Sequence, residues 1–523
     1  MNFLVRHKSY LLAAIIVAGV WIAYALGGHA FVESIHAGRA PALLSALLPD
    51  RADTPLSIYL RLADFLVVFL GFLAFAIAWW IDSWQEFKPL VRQLTVFTLI
   101  HVFVLQGLIA ITSPERLHDT VLRRTKQFFI VEEHADSWNP MFAAYRHARH
   151  LTTTSRPLYE DIFFTQHTKF QYAPTALLVM PVLERLMADR DWKGRLTGLS
   201  RYISWVFILL TVCLSALILM RESARELYPA GLPARDKAAL ITLGIVLSLT
   251  FYPTMRSYSL GQLQTWINGL LVVALACYTL KAEVAAGWLS GVACLMKPTH
   301  GVLGLWGLVR GHRRFFIGFL IASLGGLALS IRLFGWADHL DYLRVLRYLS
   351  QHGEGFFPNQ SINGILNRLL GNGPNLEWDA KGFPPYHPVV YFGTLLSSLA
   401  FLGGLLVWPA VRRLKGEPLE FALAVLTATM ASPIAWEHHY GPLIAIYAVT
   451  LPAALRKRPF GRWTVPYLIA SFVLTANYWT LTNNTAIMSG AWNLVQSHLF
   501  FGSLLLMGLI YACLARPEPD AAR

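Results

Sequence analysis

The chain has 523 residues, 55% of them apolar and only 14% charged, with mean hydropathy +0.47 and formal net charge +14. That is far more apolar side chain than one soluble core of ordinary composition carries, so a soluble domain is excluded. The positive charge does not point to nucleic acid, because Lys and Arg gather in short loops between apolar runs, as the positive-inside rule expects.

Apolar runs recur from Tyr10 to Tyr511, and their lengths predict an all-α, polytopic membrane protein with about 13–14 transmembrane or half-membrane helices. The first run, 10–25, follows Arg6 and Lys8 and reads as an uncleaved span. The four cysteines, Cys213, Cys277, Cys294 and Cys513, all fall inside apolar runs without CxxC spacing and read as packing residues. Three spans before residue 113 place 112–172 outside if the N-terminus is cytoplasmic. The next apolar piece, 175–187, is short and follows Pro174, so it reads as a half-helix that does not cross. With that choice the basic loops fall inside: Arg221 to Lys237, Lys281, Arg310 to Arg314, Arg412 to Lys415, and Arg456 to Arg458. Polar, aromatic connections at 256–262, 334–388, 436–440 and 477–484 then face outward. The tail 516–523 reads as disordered.

Within 131–182, carboxylates, Arg and His stand between apolar stretches, where an ionisable group costs roughly 2.5–3.5 kcal/mol unless solvated or paired. Asn139 and Pro140 read as N-cap and first residue of a helix to about residue 151. Met141, Ala144, Tyr145 and Ala148 share one of its faces, and Arg146, His147, Arg149 and His150 the other. Asp136 precedes that helix, whose dipole favours an ionised carboxylate; it is a candidate base or simply a loop residue, with Glu132 and Glu133 as rivals. Lys297, in LeuMetLysProThrHis, is a candidate phosphate ligand or a snorkelling side chain. His438 and His439 stand at a helix break. Adjacent histidines diverge too far to grip one metal, and His147 and His150 lack a third ligand, so no metal is expected. Asn359, Gln360 and Ser361 also match a glycosylation sequon. There is no Walker loop and no GxGxxG after a strand.

In order, Asp136 with AlaAlaTyrArg, PheGlnTyrAlaProThr at 170–175, GlyGln at 261–262, LeuMetLysProThr at 295–299, AsnGlnSer at 359–361 and SerProIleAlaTrpGluHisHis at 432–439 resemble glycosyltransferase family 87, the polyprenyl-phosphate-mannose-dependent mannosyltransferases of the GT-C superfamily. The likeness covers about residues 130–510. It departs in reaching the Asp after three spans rather than one, and in TyrAlaPro where the family has TyrProPro.

The resemblance implies a GT-C helical bundle with three regions: an N-terminal three-span part (1–112), the transferase domain (113–515) and the tail (516–523). It implies an inverting transfer of mannose, or another hexose or pentose, from a polyprenyl-phosphate sugar to a hydroxyl of a lipid-linked or cell-envelope glycan. The enzyme would sit in the cytoplasmic membrane with its site facing outward, needing no cofactor and no metal. Asp136 would be the general base. Lys297, His438, His439, Gln262 and Arg146 are candidates for the donor phosphate, and Glu132, Glu133, Tyr145, Tyr172, Asn359, Gln360 and Glu437 for lining the acceptor side. The alternatives are a transporter or flippase of an amphipathic anion, and a ligase or polymerase of lipid-linked glycans.

Overall fold

The computed structural model describes residues 8–34, 74–112, 120–149, 156–186, 192–411, 418–479 and 490–516. Arg6, His150, the basic loop 412–415, residues 480–484 and the tail beyond 516 lie outside them. The described residues are overwhelmingly helical and contain no sheet, only one antiparallel bridge between Asn359 and Trp436. Five helices are long and apolar enough to cross a membrane: Pro89–Ile109, Leu196–Leu227, Arg313–Phe334, Pro388–Pro409 and Asn493–Ala515. Four shorter apolar helices and one bent pair accompany them. The protein is therefore a multi-pass, all-α membrane protein. It divides into two units, 1–97 and 98–523.

The smaller unit contributes one 27-residue apolar helix, Lys8–Ser34, and the start of the span at Pro89. The larger unit holds every candidate residue. Its helices Glu283–Met296 and Arg313–Phe334 touch backbone to backbone. A Cβ on Gly287 would lie 1.9 Å from the Phe315 carbonyl oxygen, and one on Gly291 would lie 2.6 Å from that of Phe319. Gly287 and Gly291 form a GxxxG pair, the small-residue spacing that lets apolar helices approach where burial from water cannot drive them together. This contact fixes the helix whose far end carries Lys297.

The predicted half-helix is a five-residue 3₁₀ turn, Pro174–Leu178, running into an eight-residue helix, Val179–Leu186. Together they are too short to cross a bilayer, which takes about 20 residues. The helix predicted to begin at Asn139 and Pro140 instead runs Trp138–Ala148 after Ser137. The Ser137 side chain makes no cap bond, because it is engaged with Gln262 and Leu263. Met141, Ala144, Tyr145 and Ala148 are buried together as expected. His147 is buried too, with Nε2 3.4 Å from Asp161 Oδ2, so the basic face keeps Arg146 and Arg149 without it. Asp341, on helix Trp336–His352, accepts the backbone N–H groups of Tyr159 and Glu160 at 3.0 and 3.1 Å. That carboxylate ties the 334–352 segment onto the 156–186 segment.

Gly287→Val forces a branched side chain into a backbone contact and should cost about 1–3 kcal/mol, read as a lower Tm in detergent. Gly325→Ala, whose Cβ meets nothing within 4 Å, should be neutral or raise Tm slightly. Equal effects of the two would remove the glycine contact as a determinant of packing.

Candidate active site

The site begins at a broken helix. Ala234–Leu249 and Tyr252–Ser259 meet at an angle of 54°, with Pro253 early in the second segment. A break frees carbonyls that a continuous helix would bond. Here the Thr125 hydroxyl donates to Leu249 O at 2.5 Å, and His101 Nε2 lies 3.4 Å from Thr250 O. The bend carries Arg256, Gly261 and Gln262 to the loop that bears Asp136.

Gly261 has φ +63°, and a Cβ there would lie 1.6 Å from the His134 carbonyl oxygen. Only glycine allows both the conformation and the approach. Across this contact His134 N–H donates to Ser259 O at 3.0 Å, Asp136 N–H to Leu260 O at 3.1 Å and Ser137 N–H to Gly261 O at 3.4 Å. Gln262 then reads both neighbours: its Oε1 accepts from Ser137 Oγ at 2.6 Å, and its Nε2 donates to the Asp136 carboxylate. Tyr172 OH lies 3.0 Å from the same Ser137 Oγ. Asp136 is open to solvent, yet the protein crowding its carboxyl raises its pKa. The Gln262 bond and the charges of Arg256 and His134 pull the other way.

The rival carboxylates point elsewhere. Burial pushes Glu133 to about 8, against the opposing Arg201 charge and a Ser204 hydrogen bond, both on the long helix Trp192–Leu227. Glu132 is exposed.

A second cluster forms at two further breaks. Lys297 ends helix Glu283–Met296 in extended conformation, and its Nζ lies 3.0 Å from His439 Nδ1. His439 Nδ1 also accepts the Trp436 backbone N–H at 3.1 Å, which puts the proton of a neutral ring on Nε2. The His438 ring stands edge-on to it, centroids 4.8 Å apart. The turn is held from three sides. Asn268 Nδ2 donates to His438 O at 2.8 Å, Thr254 Oγ1 to Gly441 O at 3.2 Å, and Gln360 N–H to Ala435 O at 2.8 Å. Burial lowers the His438 pKa well below the ordinary range, with the Arg256 and Lys297 charges adding to the effect. The helix Tyr252–Ser259, which carries Arg256, therefore bonds both the Asp136 loop and the His438–His439 turn. The only sequence cue to Arg256 is a cation shortly before GlyGln at 261–262.

Other candidates occupy scaffold positions. Tyr145 is buried and donates to Glu184 Oε2, and Arg146 is exposed on its helix, over Phe142. Asn359 and Gln360 are fully buried: Asn359 binds Glu354 O and Ala435 N–H, and Gln360 binds Phe357 O and Gln496 O. Glu437 takes its place through its N–H to Pro358 O at 3.0 Å, with Oε2 accepting from Tyr252 at 3.3 Å. A cavity of about 640 Å³ beside Lys281, Glu283, Trp288 and Arg314 lies at the opposite end of the Lys297 helix.

The model of the family described as Glycosyltransferase family 87 matches residues 170–433, about half of the chain. Gly261, Gln262, Lys297, Asn359 and Gln360 fall within the match; Asp136, His438 and His439 fall outside it. The polyprenol-phosphate-mannose-dependent alpha-(1-2)-phosphatidylinositol mannoside mannosyltransferase of Mycolicibacterium smegmatis is 26% identical over 349 residues, 62% of this chain and 71% of that protein. No solved structure matches. A multi-pass helical chain whose breaks gather a carboxylate, an amide, an arginine, a lysine and two histidines, and which the family model covers over half its length, belongs to glycosyltransferase family 87 and is a membrane glycosyltransferase.

Proposed function

We propose that the enzyme transfers a mannosyl residue from polyprenyl-phosphate mannose to a hydroxyl of a lipid-linked or cell-envelope glycan, with Asp136 as general base and inversion at the anomeric carbon. The observation that carries this reading is the short helix Tyr252–Ser259, whose end bonds the Asp136 loop through Ser259 O and Leu260 O while its Tyr252 and Thr254 bond the turn that holds His438 and His439 beside Lys297. One centre thus has a proton acceptor and an anion-holding wall. The named relative depends on polyprenol-phosphate mannose. A lipid-borne donor also suits a site on the outer face of the cytoplasmic membrane, away from the nucleotide sugars of the cytosol, which is where the loop count puts it.

In this scheme the acceptor oxygen attacks the anomeric carbon as its proton passes to Asp136 Oδ. The bond from that carbon to the phosphate oxygen breaks, and its electron pair leaves with polyprenyl phosphate. A phosphate leaving group needs no proton from a general acid. It needs donors and positive charge where its own charge grows, which Arg256 and His439 Nε2–H supply, together with Lys297 Nζ, whose pKa burial lowers to about 7 and which takes up its proton as the phosphate's charge comes beside it. Gln262 aims the Asp136 carboxylate. Glu133 is a poor alternative base, since a carboxyl with a pKa near 8 is mostly protonated at pH 7. The scheme uses no metal ion.

Asp136→Asn should lower transfer of labelled mannose by about 10²–10⁴ while the protein folds and binds donor; retention of a tenth of wild-type activity would move the base elsewhere. Lys297→Ala should raise the donor KM by about tenfold or more, and an unchanged value would remove it from the phosphate wall. Gly261→Ala, which drives a methyl group into the His134 carbonyl, should displace Asp136 and Gln262 by about 1 Å and cost about 10² in kcat. A normal kcat in that variant would show that the loop position is immaterial.

The pH profile gives an independent check. A base works deprotonated, so kcat/KM rises with pH through the Asp136 pKa. Gln262 stabilises the carboxylate and lowers that pKa, so Gln262→Leu should shift the acid limb to higher pH. A shift to lower pH, or none, would contradict the assigned contact.

A further inference from the structure

Next to the anion-holding turn the chain exposes a large aromatic surface in a segment with no regular structure. Trp378 lies between exposed Glu377 and Asp379 and is itself 45% exposed. It does not hang loose. Lys169 Nζ sits 3.9 Å from its ring centroid and 4.2 Å from that of Phe383, and the same Nζ donates to buried Glu354 at 3.0 Å. The edge of the indole meets Trp436, centroids 5.2 Å apart at 67°, and Phe356 completes the group at 5.7 Å. Trp436 directly precedes Glu437, His438 and His439, and its backbone is pinned by the bridge to Asn359 and the bond to His439. Asp379 is fixed as well, its Oδ1 accepting the N–H groups of Lys381 and Gly382 at 2.9 and 2.8 Å.

Trp378 presents a solvent-facing indole braced by a cation on one side and flanked by two carboxylates. It suits a pyranose, which presents a flat C–H face and a rim of hydroxyl donors. We propose that Trp378 and Trp436 form a stacking platform for a hexose of the acceptor glycan, with Glu377 and Asp379 accepting its hydroxyls. This deepens the transfer reading above and rests on it. Continuity with the His438–His439 turn puts the bound sugar beside the reacting centre, so the platform sets which acceptor reaches Asp136. Trp378 and Trp436 are specificity residues in this account and take no part in the proton transfer.

The test uses the full chain in nanodiscs, labelled polyprenyl-phosphate mannose as donor and octyl α-mannopyranosyl-(1→6)-α-mannopyranoside as acceptor. Trp378→Ala should raise the acceptor KM by about tenfold and change the donor KM by less than about twofold. Trp378→Phe, which keeps a ring, should restore most of the loss, and Asp379→Asn should raise the acceptor KM by about threefold. An acceptor KM within about twofold of wild type in Trp378→Ala, or donor and acceptor KM rising together, would overturn the platform. Should the wild-type enzyme transfer no mannose, the proposed reaction fails and saturation-transfer NMR with the disaccharide alone decides the platform. A signal lost in Trp378→Ala sustains it. Equal signals in the two proteins, or none in wild type, overturn it.

Discussion

The loop bearing Asp136 reaches its place because residue 261 has no Cβ. Three backbone hydrogen bonds join 134–137 to 259–261 across that gap, and through them the loop inherits the rigidity of the bent helix pair. Gln262, the next residue, converts the backbone contact into side-chain chemistry by bonding both Ser137 and Asp136. The orientation of the amide is not arbitrary: its oxygen takes the Ser137 hydroxyl, which leaves its N–H groups for the carboxylate. A loop carboxylate thereby acquires the fixed geometry usually given to groups on helices and strands.

The cluster of Lys297, His438 and His439 is built by a different route to the same end. Lys297, His438 and His439 all stand where helices stop. In a membrane protein a stopped helix exposes backbone groups that lipid cannot satisfy, so each break requires polar side chains nearby. His300 Nδ1 lies 3.1 Å from Lys297 O, Asn268 takes His438 O, and Asn359 and Gln360 pin 433–435. The glycine contact between Glu283–Met296 and Arg313–Phe334 then fixes the helix that delivers Lys297.

Much of this was legible in the sequence, and the illegible part has a common cause. Composition and run length gave the membrane class, Pro174 marked the start of a short element, and the apolar face of 141–148 follows from its 3.6-residue spacing. What spacing along one helix cannot reveal is which distant segment faces it. His147 reads as part of the wet face because its partner Asp161 lies fourteen positions on, off the helix that carries it. Tyr145 has a site-like polar tip, but Glu184 claims it from another helix. Asn359 and Gln360 were singled out as landmarks, and in the structure they spend every bond on the scaffold beneath Trp436. Arg256 has no local cue to its neighbours, because the segments its helix bonds, 134–136 and the turn ending at Gly441, lie far from it along the chain. The GxxxG at 287–291 was a readable signal that went unread.

Because polar residues at helix breaks satisfy backbone and substrate together, loss of activity alone cannot assign a role here. Asn268 illustrates the difficulty. Its amide holds the His438 carbonyl, its own oxygen accepts from Gln264 Nε2 at 2.9 Å, and a Cβ on Gly441 would lie 2.4 Å from it. Truncating it leaves a buried carbonyl unpaired, which by itself costs about 1–3 kcal/mol, and also lets the His438–His439 turn drift. Both effects reduce turnover. They separate only in the ratio of donor binding to stability, since a scaffold residue moves both and the phosphate-binding role proposed for Lys297 moves the first alone. The membrane setting sharpens that distinction: water can rescue an unpaired group in a soluble loop, whereas a break packed among apolar helices has only its neighbours to turn to.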